Sequence, residues 1–269
     1  MDLLKEIVAH KHTEVARRKQ NISQDRLKKS GYFKMECDSL VAALGYESST
    51  GIIAEFKRKS PSKGVINDIA DVGYVVSEYD TYGAAAVSIL TDKKYFGGSL
   101  GDIPDSRDSA LCPILRKDFI VDEYQVYETK ACGADVMLLI AACLTPDTVR
   151  HLAGLAKSLG LEVLLEIHTE AELEHICPEV DVVGINNRNL RNFEVDLEHS
   201  IQLASKLPPD KPKIAESGIS NTDTILTLEQ HGFSGFLIGE TFMKHPQPEI
   251  AFAEFVQELK QKKQARQGK

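Results

Sequence analysis

Eight short apolar segments recur between residues 51 and 255, and this regular recurrence limits the folds open to the chain. Each segment is followed by a polar or glycine-containing junction, and nearly all junctions lead into apolar residues at helical spacing. Near-continuous apolar runs are typical of parallel strands that are covered on both faces. The eight segments are Ile52–Phe56, Ala85–Leu90, Pro113–Leu115, Val136–Ile140, Val163–Glu166, Val182–Ile185, Lys213–Ala215 and Gly235–Ile238.

The helical stretches between these segments complete the pattern. Pro146 and Asn221 are helix-start signals, and Gly97–Arg107 predicts only a short helix. Eight strand–helix units indicate an α/β fold, a (β/α)8 TIM barrel. An open doubly wound sheet, the main alternative, usually has a GxGxxG turn after its first strand, and the sequence has none. The predicted helices are Val72–Tyr82, Asp122–Cys132, Pro146–Leu159, Thr169–Cys177, Leu197–Leu207, Asn221–His231 and Pro248–Lys263.

The segment before the first strand predicts a helical extension. Its first helix, with Asp2 as a candidate N-cap, is interpreted as a docking helix that covers an apolar surface. We expect the extension, residues 1–46, to pack near the catalytic rim of the barrel. No linker divides residues 51–255, so residues 1–269 are predicted to form one domain with that barrel core. The apolar residues at helical spacing are Leu3, Leu4, Ile7, Val8, Val15 and Ala16.

Charge and cysteine content exclude several classes of protein. The chain has 32 Lys and Arg against 40 Asp and Glu, and this net charge of −8 disfavours a non-specific nucleic-acid binder. A local basic pocket can still bind a small anion. Five cysteines without a CxxC spacing predict a reduced, cytoplasmic protein. No secretory signal and no long apolar segment is present, so no membrane association is expected.

Charged residues stand where several apolar runs end. In a TIM barrel the active site lies at the carboxyl ends of the strands, so these side chains are predicted to converge. Glu55, Lys57 and Lys59 fall on one face of an extended strand, which predicts that all three point into the mouth. With Lys117 and Glu166, they would form the paired acids and bases that proton transfer requires.

Two glycine junctions near the end of the chain indicate an anion site. Ser217-Gly218 and Gly239-Glu240 follow the seventh and eighth strands, and each precedes a helical or turn segment with free backbone N–H groups. The loops after these two strands often hold phosphate in this fold. We therefore expect the backbone of Gly218, Gly239 and Glu240 to bind a phosphorylated small molecule.

The remaining candidate groups favour structural roles. No HExxH pattern or histidine–cysteine set resembles a zinc site, so no metal is expected. His168 follows a strand end, where a structural hydrogen bond is its expected role. Cys112 and Cys143 are predicted to be small core residues.

At these strand ends the sequence resembles the indole-3-glycerol-phosphate synthase family of tryptophan biosynthesis. The likeness spans the barrel, and the helical extension also fits the family. The motif that begins at Ile53 is specific, whereas Gly-Glu near the end is not. The matching motifs are Ile53–Ser62, Ser88–Asp92, Phe96–Ser99, Leu115–Phe119, Gly184–Leu190, Ala215–Gly218 and Leu237–Glu240.

The resemblance implies a lyase that acts on 1-(2-carboxyphenylamino)-1-deoxyribulose 5-phosphate without a metal or organic cofactor. The aryl ring attacks the ketone carbon, CO2 leaves, and loss of water forms the indole. Lys117 would be the general acid, Glu166 the acid or base of the dehydration, and Lys57 a counter-charge for the substrate carboxylate. The division of work between Lys57 and Lys117 stays open. The residues implied to orient substrate and lysines are Glu55, Asn186, Arg188, Glu216 and Ser217.

The same resemblance implies the phosphate contacts. Gly218, Gly239 and the backbone of Glu240 would hold the phosphate, together with Lys59 or Ser60, and Leu237 would line the substrate site. The carboxylate of Glu240 is expected to point away from the phosphate. No role is assigned to Asn187 or Asn189, where the sequence departs from the residues usual in the family.

Two rival functions remain at this stage. Phosphoribosylanthranilate isomerase is a related barrel, but it would use a Cys and an Asp, whereas the first strand here ends in Glu55-Phe-Lys57. A barrel that has lost catalysis and serves in binding or assembly is disfavoured by the presence of Lys57, Lys117 and Glu166. A monomer or a weak homodimer is expected, with a small molecule as the partner.

Overall fold

A computed structural model describes residues 3–188 and 194–267. Within these residues, eight parallel strands close into a barrel in the order β1-β10-β9-β8-β7-β6-β5-β4, which confirms the predicted fold class. Strands β2 and β3 form a separate antiparallel hairpin directly after β1. The strands are β1 (Ile52–Phe56), β2 (Lys59–Ser60), β3 (Gly64–Val65), β4 (Ala86–Leu90), β5 (Ile114–Lys117), β6 (Val136–Ile140), β7 (Glu162–Ile167), β8 (Val182–Asn186), β9 (Lys213–Glu216) and β10 (Gly235–Ile238).

The helices begin where polar caps precede them. Thr145 caps the helix in which Pro146 stands in the first turn, and the Asn221 side chain accepts a hydrogen bond from the Thr224 amide. The helix expected at Thr169–Cys177 is instead a 3-10 segment, Glu170–His175. The candidate cap Asp2 lies outside the described residues. The helices are α1 (Leu3–Asn21), α2 (Gln24–Leu27), α3 (Leu40–Gly45), α4 (Val72–Thr81), α5 (Lys93–Phe96), α6 (Asp102–Arg107), α7 (Glu123–Ala131), α8 (Pro146–Ser158), α9 (Leu197–Ala204), α10 (Thr222–Gln230), α11 (Glu240–Met243) and α12 (Pro248–Gln267), with further 3-10 turns at Gly31–Lys34 and Ala141–Cys143.

The N-terminal extension reaches both ends of the barrel. In α3, Leu40 and Leu44 join the apolar cluster inside the barrel, and the Leu40 amide donates to Glu162 at the start of β7 (2.8 Å). The expectation that the whole extension packs near the catalytic rim is therefore wrong for α3, which closes the opposite end. The rim is reached by α1, whose Leu3 and Ile7 line the cleft at the carboxyl ends of the strands.

The buried face of α1 is only partly apolar. Ile7 and Val15 are buried as expected, whereas Ala16 is exposed. Lys11, with no exposed surface, places its Nζ 2.8 Å from Asp92 Oδ2 and 2.8 Å from Asp118 Oδ1. Isolated buried ammonium groups are strongly disfavoured, so these two carboxylates are what allow the helix to dock here.

Lys11 belongs to a larger set of buried charges between the barrel and α1 and α7, here called the outer network. Arg116, fully buried on β5, lies 3.0 Å from Asp118 and 3.4 Å from Glu128. Its Nη1 also donates to the Gln125 carbonyl oxygen at 3.0 Å. The outer network comprises Lys11, Glu14, Arg18, Asp92, Arg116, Asp118 and Glu128.

Candidate active site

A cleft of about 300 Å³ opens at the carboxyl ends of the barrel strands, a size that suits a small-molecule ligand. Its walls differ in chemistry. Strands β4 to β6, with α1, contribute an apolar side, while β8 to β10 contribute polar turns. In the closed strand order β5 lies opposite β9, so these two sides face each other across the mouth. The apolar side includes Leu3, Leu4, Ile7, Leu90, Phe96, Phe119, Leu138 and Ile140.

Five charged side chains stand between these two walls and are here called the inner network. Lys117 Nζ lies 3.0 Å from Glu166 Oε2 and 3.3 Å from Glu216 Oε2. Lys57 Nζ donates to Glu55 Oε1 at 2.6 Å. The structure thus brings together Glu55, Lys57, Lys117 and Glu166, four of the charged side chains predicted to converge here. The inner network consists of Glu55, Lys57, Lys117, Glu166 and Glu216, all of which line the cleft.

The inner network contains three carboxylates and two ammonium groups. Burial raises the pKa of Glu216, and the nearby carboxylates of Glu166 and Glu55 raise it further, against the opposing effect of Lys117. Burial also acts against ionised Glu166, but Lys117, His168 and the Asn186 amide outweigh it and hold the pKa of Glu166 below its usual range. One carboxyl is thus driven toward its neutral form and its neighbour toward the anion, so Lys117 faces one neutral and one ionised group.

Lys117 is held in its protonated form. Burial alone would lower the pKa of Lys117, but the three surrounding carboxylates Glu166, Glu216 and Glu55 raise it well above its usual range. The Asn186 amide donates to Glu166 Oε1 at 3.0 Å and so fixes the carboxylate that Lys117 faces. The arrangement can deliver a proton to a strongly basic oxygen that forms in the cleft.

Two glycines provide the space for these carboxylates. A Cβ at Gly184, in the middle of β8, would lie 2.2 Å from Glu216 Oε1. A Cβ at Gly239 would lie 2.4 Å from Glu55 Oε1. Gly239 therefore serves close packing, and its φ of −126° requires no special conformational freedom. Gly184 stood in a matching motif, but no role was predicted for it, because a strand sequence alone does not show which side chain packs on it.

The turn after β9 has an unusual backbone. Ser217 and Gly218 are both left-handed, with φ of 68° and 73°. Such conformations are uncommon outside glycine and often mark functional sites, so the surroundings must hold Ser217 in place. Asn187 does so, because its Nδ2 donates to the Ser217 carbonyl oxygen at 2.7 Å. Asn187 was assigned no role, and this contact gives it one.

Polar groups gather at the outer edge of the same wall. Glu240 lies 3.5 Å from Lys63 Nζ and 3.7 Å from Arg188 Nη2, while Arg188 also donates to Ser62 Oγ at 3.2 Å. The Glu240 carboxylate is thus at the mouth beside two cations. Leu237, Gly218 and Ser60 line the cleft as well. Asn189 and Leu190, which follow Arg188, lie outside the described residues.

Lys59 is not brought to the cleft. The strand ends at Phe56, and the chain then turns into the β2–β3 hairpin, so the alternation that places Glu55 and Lys57 inward does not continue. Lys59 Nζ donates to the Lys94 carbonyl oxygen at 2.6 Å, and Lys59 is not among the residues that line the cleft. The prediction that Lys59 points into the mouth is wrong.

His168 also differs from its expected role. Its ring lies between two carboxylates, with Nε2 3.4 Å from Glu166 and Nδ1 3.8 Å from Glu172. Neither ring nitrogen forms a hydrogen bond with any part of the chain that the structure describes. The structural hydrogen bond that the sequence suggested is therefore not formed by the ring.

The apolar wall was missed by sequence reasoning. Phe96 and Phe119 pack with ring centroids 6.0 Å apart, and Leu3 and Ile7 come from the other end of the chain. The parity of Phe119, two residues after Lys117, was an available signal, because alternate residues share a face. Nothing local to α1 indicates which barrel residues it meets.

The described residues offer neither a metal site nor a membrane-spanning helix. Within residues 3–188 and 194–267, no group of three His, Cys, Asp or Glu side chains has an arrangement that could hold a metal ion. Among the same residues, no helix combines the length and the apolar character needed to cross a membrane. Cys112 is buried, as expected, and Cys143 is half-buried against the apolar cluster inside the barrel.

Comparisons with known proteins identify the family of this chain. A family model described as indole-3-glycerol phosphate synthase matches residues 4–255. A protein of that name from Bacteroides thetaiotaomicron is 50% identical over 258 residues, which cover 96% of this chain and 99% of the relative. Another, from Albidiferax ferrireducens, is 39% identical over 94% of this chain and 97% of its own length.

The fold also resembles solved structures with little sequence similarity. The tryptophan synthase alpha subunit of Legionella pneumophila matches with a TM-score of 0.61 at 11% identity, over 82% of this chain and 95% of its own. This likeness supports the barrel fold alone. The family match over nearly the whole length, together with the strand-end motifs, establishes that the chain belongs to the indole-3-glycerol phosphate synthase family.

Proposed function

We propose that this chain converts 1-(2-carboxyphenylamino)-1-deoxyribulose 5-phosphate to indole-3-glycerol phosphate, CO2 and water. The observation that carries the proposal is the position of Lys117. Its ammonium group lies between Glu166 and Glu216, in a cleft whose opposite walls suit an aryl ring and a phosphate. A molecule that bears both groups would span the cleft and place its reacting carbons beside the inner network.

The two walls orient the substrate. Phe96, Phe119 and Leu138 offer apolar surface to the aryl ring. At the other end, the backbone N–H groups of Gly218, Gly239 and Glu240, with Ser60 and Arg188, would hold the phosphate, because such turns present several donors to one anion. Leu237 contacts the sugar chain between them.

Lys117 acts first in the proposed mechanism. Attack by the aryl carbon turns the ketone oxygen into an alkoxide, which is far more basic than an amine, so the ammonium of Lys117 protonates it. This interaction exists only at and after the transition state, which is the condition for raising the rate. Lys57, held by Glu55 at 2.6 Å, meets the substrate carboxylate before it leaves as CO2.

Glu166 acts in the second part of the reaction. Removal of the new hydroxyl as water requires one proton to be delivered and one to be taken from the adjacent carbon. Glu166 is placed to serve as acid or base here, since Asn186 and Lys117 fix both of its oxygens. Glu216 and Ser217 position Lys117 and the substrate rather than exchange protons themselves.

The five cysteines are thiols, which supports a reducing, cytoplasmic location. We propose a single domain over residues 1–269, with residues 1–46 as the extension and residues 51–255 as the barrel core. The enzyme would need no metal or organic cofactor and would act as a monomer or weak homodimer.

The direct test is product formation. Purified protein is mixed with the carboxyphenylamino substrate, and indole fluorescence is followed with time. Fluorescence that grows with protein concentration is expected, together with one CO2 per product. A folded protein that binds the substrate but forms no indole would overturn the proposed activity and leave a binding role instead.

A further inference from the structure

The proposed reaction takes up a proton in every turnover. The substrate carries a carboxylate anion, whereas CO2, water and the indole carry no corresponding charge, so one proton must come from solvent. The alkoxide and the departing hydroxyl each take up one proton. The carbon next to the one that bears the hydroxyl releases only one proton during the dehydration. Proton exchange between Lys117 and Glu166 alone cannot supply this additional proton, so the inner network must receive one proton from solvent in each turnover.

The geometry around Glu166 points to a source for that proton. We propose that His168 donates a proton from Nε2 to Glu166, and that Glu172 holds the opposite ring nitrogen. This inference rests on the proposed function and deepens it. His168 does not line the cleft, so it acts through Glu166 as a positioning and proton-supplying residue.

Two observations and one general property of imidazole support this role. The His168 ring lies between two carboxylates, at 3.4 Å and 3.8 Å, and a shift of about half an ångström brings Nε2 into hydrogen-bond range. Its two nitrogens are buried and lack hydrogen bonds within the described residues, so they are not committed to a structural partner. Imidazole is the side chain that exchanges protons near neutral pH.

The neighbouring His175 shows what a structural histidine looks like in this fold. It stands on the 3-10 segment that also carries Glu172, and it is buried to a similar degree. Its Nδ1 lies 3.2 Å from the Glu172 carbonyl oxygen and its Nε2 lies 3.0 Å from that of Leu144. Both nitrogens of His175 therefore contact backbone, whereas those of His168 face ionisable groups.

The proton transfer from His168 to Glu166 balances, and the charge on Lys117 determines when it occurs. The Nε2–H bond of the imidazolium breaks, an O–H bond forms on Glu166, and neutral His168 keeps its Nδ1 proton toward Glu172. Before reaction, the ammonium of Lys117 holds the pKa of Glu166 low. Once Lys117 has given its proton to the alkoxide, that charge is gone and Glu166 becomes basic enough to accept. His168 regains its proton from solvent after product release.

The groups that face His168 define the expected pH dependence. Glu166 approaches from β7, Glu172 from the 3-10 segment, and Lys117 is reached through Glu166. From α9, His199 contacts the His168 carbonyl oxygen through Nε2 at 2.9 Å. The Glu172 carboxylate also accepts the His168 amide at 2.5 Å, so it holds the residue on both sides.

The test compares His168→Gln with three other variants. His168→Gln should lower kcat about 10- to 100-fold at neutral pH, near the lower end of what proton-transfer groups contribute, with KM unchanged. The loss should shrink as pH falls, because hydronium replaces the missing donor. Imidazole in the buffer should partly restore kcat in His168→Ala. Glu172→Gln should show a weaker version of the same loss, because Gln can keep the capping contacts.

His175→Gln is the matched control, and it should lower thermal stability while kcat and its pH dependence stay unchanged. Wild-type kcat with a wild-type pH profile in His168→Gln would overturn the inference and leave the proposed function in place. An equal loss at every pH, without imidazole rescue, would also overturn it and indicate a structural role. A wild-type protein that forms no indole would overturn the proposed function together with this inference.

Discussion

Arg116 and Lys117 are neighbours on β5, yet they belong to two different buried ion networks. Arg116 points outward into the outer network, where Asp118 and Glu128 surround it. Lys117 points into the cleft and the inner network. Alternation along the strand thus assigns one cation to holding the fold together and the next one to chemistry.

The two networks differ in how they shift the pKa values of their carboxyl groups. In the outer network, burial opposes the charged forms of Lys11 and Arg116, but the paired carboxylates raise the pKa of both, and burial of Asp118 is outweighed by Lys11 and Arg116, which lower its pKa. All these shifts favour the ion pairs. In the inner network burial raises the pKa of Glu216 instead, although Lys117 Nζ lies 3.3 Å from its Oε2. The surroundings of Glu216 therefore favour the neutral carboxyl over the carboxylate.

The largest expected effect is on turnover. Lys117→Met should lower the single-turnover rate by about 10²–10⁴, because the alkoxide loses its acid. Folding should persist, since Glu166 and Glu216 open onto the cleft and can take up protons when the ammonium is removed. Stopped-flow fluorescence measures the rate, and circular dichroism checks the fold. A near-normal single-turnover rate would assign the acid role to Lys57 and would contradict the catalytic role of Lys117 in the inner network.

The matching change in the outer network should act on stability. Lys11→Met leaves Asp92 and Asp118 facing each other without their shared cation, which should lower the free energy of unfolding by about 3–5 kcal/mol. Denaturant titration measures this value. Lys11→Met combined with Asp92→Asn should recover part of it. A variant as stable as the wild type would show that the outer network is dispensable.

A third change should raise stability. Glu216→Gln replaces a buried carboxyl group of raised pKa with a neutral amide and should stabilise the fold by about 1–3 kcal/mol at neutral pH, while turnover falls. The raised folded-state pKa means that wild-type Glu216 disfavours folding increasingly as pH rises above its unfolded value, about 4.3, until it passes the folded value. The gain should therefore vanish in acid, as calorimetry at several pH values would reveal. A destabilised variant at neutral pH contradicts this reading.

The smallest effect is expected at the surface. Lys19 pairs with Asp122 at 2.7 Å, but the Lys19 side chain is 45% exposed. Lys19→Met should change the free energy of unfolding by less than about 1 kcal/mol, because water and salt screen such pairs. Both variants, Lys19→Met and Lys11→Met, are measured in the same denaturant titrations. The comparison tests whether the contribution of the outer network to stability comes from burial of its ion pairs rather than from pairing itself. Equal losses in the two variants would contradict that view.

Sequence reasoning recovered the parts that local patterns control. All eight strands, the inward placement of Glu55 and Lys57, and the helix starts at Pro146 and Asn221 follow from periodicity and capping. The pattern failed at Lys59, where an unforeseen hairpin ends the alternation. It also missed the charged part of the buried face of α1, because a lysine such as Lys11 normally indicates a solvated surface.

Long-range contacts explain the remaining gap. Lys11 meets Asp118, and Gly184 makes room for Glu216, but no periodicity within a segment encodes such pairs. The apolar wall of the cleft was missed for the same reason, since it combines α1 with β4 to β6. The position of His168 between Glu166 and Glu172 likewise depends on how the 3-10 segment folds back over β7.

The extension that reaches both ends of the barrel also has a consequence for synthesis. Leu40 is anchored by Glu162, which lies 122 residues later in the chain. At about 5–20 residues per second, the ribosome delivers this anchor roughly 6–24 s after Leu40 itself. During that interval the apolar faces of α1 and α3 have no barrel to cover them. Until β7 has been synthesised, the nascent chain therefore exposes these apolar faces to aggregation.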